Sequence, residues 1–411
     1  MRANKWKFGV VATVAMVMFL LGLAVGPALA GGSVRIGVIG PMTGPAADTG
    51  RQIRDASILA AKEINAQGGI LGKKIELFYA DDESKPAVGV TEVIKLIEKN
   101  KIDILSGGLH SDVALATMEV TPRYKIPYII TGPISQTIAS KISKNMKKYG
   151  MVFKTDASSL TYGAAWGEFN EWLLKSGLYK PEKKDYVVIM ENTDYGRACA
   201  KAAEEKLKEL GYKLLYTEII DFKTVDFYPI LSKIKASKPD IVWSVQSATA
   251  SGLALIRQFQ EVKIPALFQS TYVMTKPDFL KAIGKDAAYA FSVQAAGLVP
   301  GQSDVFVKNF KKMTGEKPGL VAGLQYDIMY MIRNAAKRAG SMDPKKFVEA
   351  YENTKYKGTC GTYVYGKKDH QIISGLDYLP SFVYQFMPDG KRVLIFPAKY
   401  GDGKVLMPPG L

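Results

Sequence analysis

From residue 34 onward, short apolar runs alternate with segments whose apolar residues recur at helical spacing. The first run, 34–40, is rich in β-branched residues and ends in glycine, which is typical of a buried strand. The next segment, 52–65, repeats its apolar residues every three or four positions, which predicts an amphipathic helix. Glycines at 68 and 69 are expected to end that helix.

The same two patterns continue along the chain and restart near residue 160. They predict further strands over 74–80, 102–105, 127–131, 185–190, 214–220, 240–245, 266–269 and 288–293. They predict further helices over 88–99, 111–123, 162–175, 198–210, 227–236, 251–260, 279–283, 305–313, 321–339 and 344–352. After residue 355, aromatic residues and glycines predict short strands. Strands that alternate with helices form parallel sheets covered on both faces, so the expected class is α/β with two doubly wound parallel-sheet lobes.

Loops that follow strands are the expected binding sites. In open sheets of this kind, ligands bind beyond the carboxyl ends of the strands, where the strand order reverses. The loops in question cover 40–50, 106–111, 131–136, 191–197, 245–250 and 269–274.

The first thirty residues have the organisation of a secretory signal peptide. Three basic residues precede or begin an apolar run over 8–25, and Ala28 and Ala30 stand at the small positions of an A-x-A cleavage site. We expect cleavage after Ala30 and a periplasmic location. The alternative is an uncleaved membrane anchor, since the run is nearly long enough to span a bilayer. A lipid anchor is not expected, because no cysteine lies near the site.

Composition narrows the class of protein further. About 380 residues would remain after cleavage, which suits two domains. The net charge of +16 comes from lysines spread along the whole chain, so we interpret it as a solvated basic surface rather than a nucleic-acid site.

Side chains for catalysis are scarce. The only histidines are His110 and His370, and neither forms a metal-ligand spacing with a cysteine. No phosphate-binding loop or nucleophile-elbow motif is present. We therefore expect a binding protein that is not an enzyme and needs no metal or cofactor. Cys199 and Cys360 could be two buried thiols or one disulfide, and our hypothesis is that they pair, given an oxidising compartment.

The segment 34–50, which reads VRIGVIGPMTGPAADTG, resembles the opening of the leucine/isoleucine/valine-binding protein family. These are extracytoplasmic solute receptors of ABC importers with the type I periplasmic-binding fold. Further stretches resemble the family in the same order, at 61–70, 79–82, 107–111, 126–128, 192–196, 226–229 and 238–242. The resemblance covers nearly all of residues 33–390.

The resemblance implies two lobes joined by three crossings, with the solute held between them. The crossings are expected near 153–156, 293–297 and 354–358. Lobe one would then comprise 33–153 plus 296–354, and lobe two 154–295 plus 355–411. A membrane permease is the implied protein partner, with no nucleic acid, and we expect a monomer.

Several ligand-binding positions follow from the resemblance. Ser111 stands where the family uses a serine hydroxyl and helix N-terminal N–H groups to hold a carboxylate, although a plain helix cap is the alternative. Thr131 and Gly132 stand where the family's backbone meets the same carboxylate. Tyr195 lies in the D-x-x-Y-G-like turn, where the family's tyrosine lines the cleft; packing at a helix start is the alternative.

Two further positions depart from the family. Amino-acid-binding relatives present an acid to the solute's ammonium group where this chain has Tyr272. If a carboxylate is supplied from elsewhere, Asp194 and Glu191 are the expected sources. Thr49 replaces an aromatic residue that closes the pocket of relatives, which leaves more room. Gln246 lies in the loop where relatives place another residue of the pocket.

His110 adjoins Ser111 and either faces the cleft or has a structural role. A disulfide found in relatives would fall at Ser84 and His110, so that bridge is absent here.

The expected function is that of a solute receptor for a branched-chain-amino-acid-type ABC importer. The solute is expected to carry a carboxylate, with a hydrophobic amino acid as the first expectation. Because Tyr272 carries no charge, aromatic or aliphatic carboxylates or amides are the alternative. A second alternative is a ligand-sensing domain of a signalling system.

Overall fold

The computed structural model describes residues 32–401 and 403–411, so the expected signal peptide and its cleavage site lie outside the described residues. Two sheets dominate the described chain, each flanked by helices. None of the described helices is both long and apolar enough to cross a bilayer.

Five strands form the first sheet, in the order β2-β1-β3-β4-β5 with every neighbouring pair parallel. They are β1 (Ser33–Gly40), β2 (Lys74–Asp81), β3 (Ile104–Gly107), β4 (Tyr128–Ile130) and β5 (Val152–Lys154). Its helices are α1 (Ala47–Ala66), α2 (Pro86–Glu98), α3 (Ser111–Thr117), α4 (Thr121–Tyr124), α5 (Gln136–Lys144) and α6 (Met146–Tyr149). The strand order reverses between β1 and β3, which places the loops after these strands at a ligand-binding position.

Seven strands form the second sheet, in the order β14-β13-β10-β9-β8-β6-β7. They are β6 (Asp185–Glu191), β7 (Lys213–Ile220), β8 (Ile241–Val245), β9 (Leu267–Ser270), β10 (Phe291–Gln294), β13 (Phe382–Phe386) and β14 (Arg392–Phe396). Its helices are α7 (Ser159–Lys175), α8 (Asp194–Glu209), α9 (Tyr228–Ser237), α10 (Thr249–Val262) and α11 (Pro277–Ile283). The pairings of β10 with β13 and of β13 with β14 are antiparallel, so this sheet is mixed at one edge.

Three helices follow the second sheet's parallel strands in sequence but pack against α1 or against one another: α12 (Asp304–Thr314), α13 (Leu320–Ala339) and α14 (Pro344–Glu352). Phe306 and Phe310 of α12 are buried with Ala56 and Leu59 of α1. We call the first sheet with its helices and α12–α14 lobe one, and the second sheet with its helices lobe two. The predicted α/β fold with two doubly wound, largely parallel sheets is confirmed.

The third crossing of the chain lies later than the family resemblance implied. Residues 355–364 form a two-stranded antiparallel ribbon, β11 (Lys355–Gly358) and β12 (Gly361–Val364), instead of joining the second sheet. Beyond the ribbon, the Tyr365 hydroxyl lies 2.8 Å from that of Thr155, and Gln371 bridges to Lys154 of β5. After the ribbon, the chain first rejoins the second sheet at β13. We therefore place the third crossing between 374 and 381.

The region after β3 is less regular than its pattern predicts. The helix expected over 111–123 is two short helices, α3 and α4, separated by residues 118–120. The sequence pattern predicts no element over 136–154, where the structure has α5, α6 and β5. The strand β5 has only three residues, too few for a period to show.

The two cysteines do not pair, contrary to our hypothesis. Both are free and buried. Cys199 lies in α8 of lobe two, whereas Cys360 packs against lobe one, where a Cβ atom on Gly323 of α13 would come within 2.9 Å of its sulfur. The hypothesis failed because it assigned all residues after 355 to lobe two.

Candidate functional site

A small cavity of about 20 Å³ lies between the carboxyl ends of the two sheets, and we call it the interlobe cavity. Lobe one contributes residues after β3 and β4, the segment after β5 contributes one acid, and lobe two contributes three tyrosines and a serine. The lining residues are Leu109, His110, Gly132, Ile134, Asp156, Tyr162, Tyr195, Ser247 and Tyr272. Both strand-order reversals thus converge on one enclosed space, as expected for ligands of doubly wound sheets.

Asp156 is the cavity's carboxylate, and it is not among the site residues predicted from the sequence. Its side chain is buried, and its Oδ1 accepts a hydrogen bond from the backbone N–H of Ala157 at 2.7 Å. Burial raises the pKa of Asp156, and the charge of Lys154 opposes that shift. Lys154 donates to the backbone carbonyls of Asp156 and Ala157 at 3.0 and 2.9 Å, which holds the segment after β5 in place. The absence of an acid at Tyr272 therefore does not leave the cavity without a carboxylate.

Two of the three tyrosines contact threonine hydroxyls through their own hydroxyls. The hydroxyl of Tyr195 lies 2.8 Å from that of Thr271, and the hydroxyl of Tyr272 lies 3.3 Å from that of Thr49, across the cleft. Tyr162 projects from α7, which approaches α8 so closely that a Cβ atom on Gly163 would come within 2.4 Å of a backbone oxygen of α8. Their rings supply an aromatic wall that suits an apolar or aromatic solute.

His110 faces the cavity and has an unused ring nitrogen. Its Nε2 is buried and has no hydrogen-bond partner among the described residues. Burial lowers the pKa of His110 to about 4, with a further contribution from the charge of Lys276. At neutral pH the ring is therefore uncharged, and a protonated Nε2 can donate one hydrogen bond to a solute. Of the two roles that the sequence left open, the structure places this side chain in the cleft.

Ser111 adjoins the cavity but is not the cap of its helix. It is the first residue of α3, and its buried hydroxyl accepts from the backbone N–H of Ser135 at 3.2 Å. No described side chain caps the first turn of α3. The N–H groups of that turn remain suited to an anion.

The other predicted positions divide between the cavity and its surroundings. Gly132 lines the cavity, but its N–H donates to the carbonyl of Gly108 at 3.0 Å. The hydroxyl of Thr131 donates to Gln325 at 2.5 Å, on the side of α13. The Gln246 side chain bonds to Ser244 and Ser251 within lobe two. Thr49 lines a small neighbouring space that shares Tyr272 with the interlobe cavity.

Neither alternative acid lines the interlobe cavity. Glu191 is buried and accepts from the N–H and hydroxyl of Ser247 and from the hydroxyl of Thr193, at 2.8 to 3.0 Å. Burial raises the pKa of Glu191 to about 7, although these hydrogen bonds oppose the shift. Asp194 begins α8, and its backbone N–H donates to Asp112 of lobe one at 3.0 Å.

The two lobes touch directly around the cavity. Asp48 of lobe one accepts from the buried ammonium of Lys276 at 3.0 Å and from the hydroxyl of Thr249 at 3.0 Å. The edge of the His110 ring also approaches Phe222 of lobe two, with centroids 6.3 Å apart. These contacts describe a closed arrangement of the two lobes.

A metal centre is not indicated in the part of the chain that the structure describes. No group of three or more His, Cys, Asp and Glu side chains there is arranged to hold a metal ion. The cavity's chemistry consists instead of one carboxylate, one neutral imidazole, hydroxyl groups and apolar surface.

Comparison with known proteins gives consistent matches over most of the chain. A family model described as periplasmic binding protein matches residues 33–380. An amino acid binding protein of Pseudomonas aeruginosa is 27% identical over 363 residues, which cover 87% of this chain and 91% of that protein.

Solved structures show the same fold. The structure of a putative branched-chain amino acid ABC transporter from Silicibacter pomeroyi superimposes with a TM-score of 0.82, at 22% identity, over 92% of this chain and 100% of that one. A solute-binding protein of an R. palustris ABC transporter, in complex with benzoate, gives a TM-score of 0.76 at 22% identity, over 89% of this chain and 96% of that one.

Proposed function

This chain belongs to the periplasmic binding protein family, and we propose that it receives a hydrophobic α-amino acid in the interlobe cavity and delivers it to an ABC importer. The observation that carries the choice of solute is the buried carboxylate of Asp156 in a cavity whose other lining residues are largely aromatic and aliphatic. The protein binds its solute and does not transform it.

Each group of the solute has a matching group in the site. The ammonium lies against Asp156, because an ammonium enclosed without a charge partner is strongly unfavourable. The carboxylate lies towards the first turn of α3 and the imidazole of His110, where uncapped N–H groups and an unpartnered ring nitrogen are donors. The apolar side chain contacts Leu109, Ile134 and the tyrosine rings.

The test compares leucine with 4-methylvalerate, its analogue without the amino group, by calorimetry. The wild type should prefer leucine, and Asp156→Asn should lose at least tenfold in leucine affinity while 4-methylvalerate binding changes little. Asp82→Asn is the matched control, because Asp82 is a buried carboxyl of lobe one that does not line the cavity. Equal loss of both compounds, or no loss of leucine, would contradict the assignment of the ammonium to Asp156.

An aromatic carboxylate is the second candidate. Three tyrosines line the cavity, and burial favours the uncharged form of Asp156, which can donate a hydrogen bond. A structural neighbour was solved with benzoate, although its identity to this chain is only 22%. If benzoate raises the melting temperature of the wild type and leucine does not, this candidate replaces the first.

The proposal also covers the export, location and membrane partner of the protein. We propose that residues 1–30 direct export and are removed after Ala30, that the mature monomer works in the periplasm, and that its closed form docks on a membrane permease. N-terminal sequencing of the exported protein should begin at Gly31. A retained Met1 would instead support a membrane anchor.

A further inference from the structure

A second cavity, strongly basic and about 430 Å³ in volume, lies where the two lobes meet beside the chain segment that follows β10. Gln294 ends β10, and Gly297 and Leu298 belong to this crossing segment. Lobe one lines the cavity with Lys311 and the loop 315–320, and lobe two lines it with residues of α11, β13 and β14. We call it the basic cavity and define it by its four cationic side chains, Lys281, Lys311, Lys317 and Arg392.

The charges of the basic cavity are not balanced by the protein. Glu316 is the one carboxylate among its lining residues, and it pairs with Lys281 at 3.0 Å. Within the described residues, no carboxylate forms an ion pair with Lys311, Lys317 or Arg392. An anion entering the cavity would therefore meet three uncompensated cations on its walls.

Arg392 is the most constrained of these cations. Its guanidinium group lies 4.2 Å from the centre of the Tyr384 ring, which holds it in a stacked position. Its Nη1 is buried and has no hydrogen-bond partner among the residues that the structure describes. A buried donor that lacks an acceptor is costly, especially when it is charged, so this nitrogen is suited to an acceptor that comes from outside the chain.

We propose that the basic cavity binds a small multivalent anion, a phosphate or a polycarboxylate, through Arg392, Lys311 and Lys317, at a site separate from the interlobe cavity. The planar guanidinium matches the paired oxygens of a phosphate or carboxylate, and lysines add charge without a fixed geometry. Its concave shape favours a small ion over a protein surface.

The position of the basic cavity couples it to closure of the lobes. Lys311 and Lys317 belong to lobe one, while Arg392 belongs to lobe two, so one bound anion would bridge both. An anion that binds the closed arrangement better than an open one favours closure. By thermodynamic reciprocity, it must then raise the affinity of any solute that also favours closure.

The experiment titrates the mature chain with inorganic phosphate and, separately, with citrate at constant ionic strength, and measures binding by calorimetry. We expect saturable binding, a loss of at least tenfold in Arg392→Gln, and a smaller loss in Lys317→Gln. Lys399→Gln is the matched control, because Lys399 is an exposed lysine of lobe two whose ammonium lies 5.3 Å from the Tyr400 ring. The melting temperature of each variant confirms folding.

The outcomes separate this proposal from the function of the interlobe cavity. If neither anion binds the wild type, or if both anion-site variants bind as the wild type does, the proposal is overturned. If phosphate or citrate competes with leucine instead of enhancing its binding, the two cavities are not separate sites. Binding of an acidic peptide without binding of either anion would assign the surface to a protein partner and also overturn the proposal.

Discussion

The ammonium of Lys276 lies 3.0 Å from the carboxylate of Asp48, and this buried ion pair joins lobe two to lobe one at the edge of the interlobe cavity. Lys276 also donates to the backbone carbonyl of Ser247, which lines that cavity. Burial lowers the pKa of Lys276, and the charge of Asp48 opposes the shift. The pair therefore links the lining of the interlobe cavity to a direct contact between the two lobes.

Asp48→Asn should weaken closure. A hydrogen bond to a charged group contributes roughly 1.5–3 kcal/mol, so we expect leucine affinity to fall roughly ten- to a hundredfold. Calorimetry measures this fall, and small-angle scattering should show a larger radius of gyration at the same leucine concentration. Asp55→Asn is the control, because Asp55 pairs only with its neighbour Arg54 on α1. An unchanged affinity in Asp48→Asn would show that the pair does not contribute to closure.

Ser111→Ala should reduce both stability and solute binding. Without the hydroxyl, the buried N–H of Ser135 loses its acceptor at 3.2 Å, which costs roughly 1–3 kcal/mol. Urea unfolding measures the loss of stability, and calorimetry the loss of affinity. Ser232→Ala, which removes an exposed hydroxyl bonded within its own helix, should change stability by less than about 0.5 kcal/mol. Equal stability of Ser111→Ala and the control would contradict the inferred role.

Stability should increase as the pH falls from 7.5 to 5.5. Burial raises the pKa of Asp82 and Glu191 to about 7 and that of Asp327 to about 6. Between these values and the ordinary carboxyl range near 4, the folded chain binds protons that the unfolded chain does not, so a lower pH favours folding. His110, His370 and Lys154, whose pKa values burial lowers, act in the opposite direction. The carboxyl groups with raised pKa values outnumber them, because burial also raises the pKa of Asp156.

Thermal unfolding at the two pH values tests this expectation. We expect the melting temperature to be a few degrees higher at pH 5.5, and the difference to shrink in Asp82→Asn. The carboxyl of Asp82 is a suitable choice because its Oδ2 has no partner among the described residues, so burial dominates its shift. A melting temperature that is higher at pH 7.5 than at pH 5.5 would mean that the groups with lowered pKa values determine how stability depends on pH.

Both thiols should be free and protected in the native protein. Cys199 and Cys360 are buried, and burial raises the pKa of each, so neither is readily ionised. Ellman's reagent should detect two thiols after unfolding without reductant and almost none in the folded protein. The melting temperature should not change when a reductant is added. Fewer than two thiols in the unfolded protein would restore the disulfide hypothesis.

The regular elements could be predicted from the sequence because their patterns are long. The strand at 34–40 and the helix at 344–352 agree with β1 and α14 within a residue. The short segments over 136–154 carry too few residues for a period to emerge, and tertiary packing decides them.

Prediction of the residues in the candidate site depended in the same way on prediction of the strands that precede them. Gly132, Tyr195 and Tyr272 line the interlobe cavity, and each follows a strand that the pattern predicted. Asp156 follows β5, which the pattern missed, so the rule that directs attention to post-strand loops did not reach it. Thr131 and Gln246 follow predicted strands, but their side chains bond elsewhere, because sequence position does not fix where a side chain points.

The late return of the chain to the second sheet affects how the protein tolerates shortening. The strands β13 and β14 come from the last thirty residues, yet β13 pairs with β10 and covers one side of it. A chain ending at residue 380, where the family match ends, would leave the backbone N–H and C=O groups along that side of β10 without partners. An exposed strand edge recruits other chains, so such a fragment should self-associate rather than remain a working receptor.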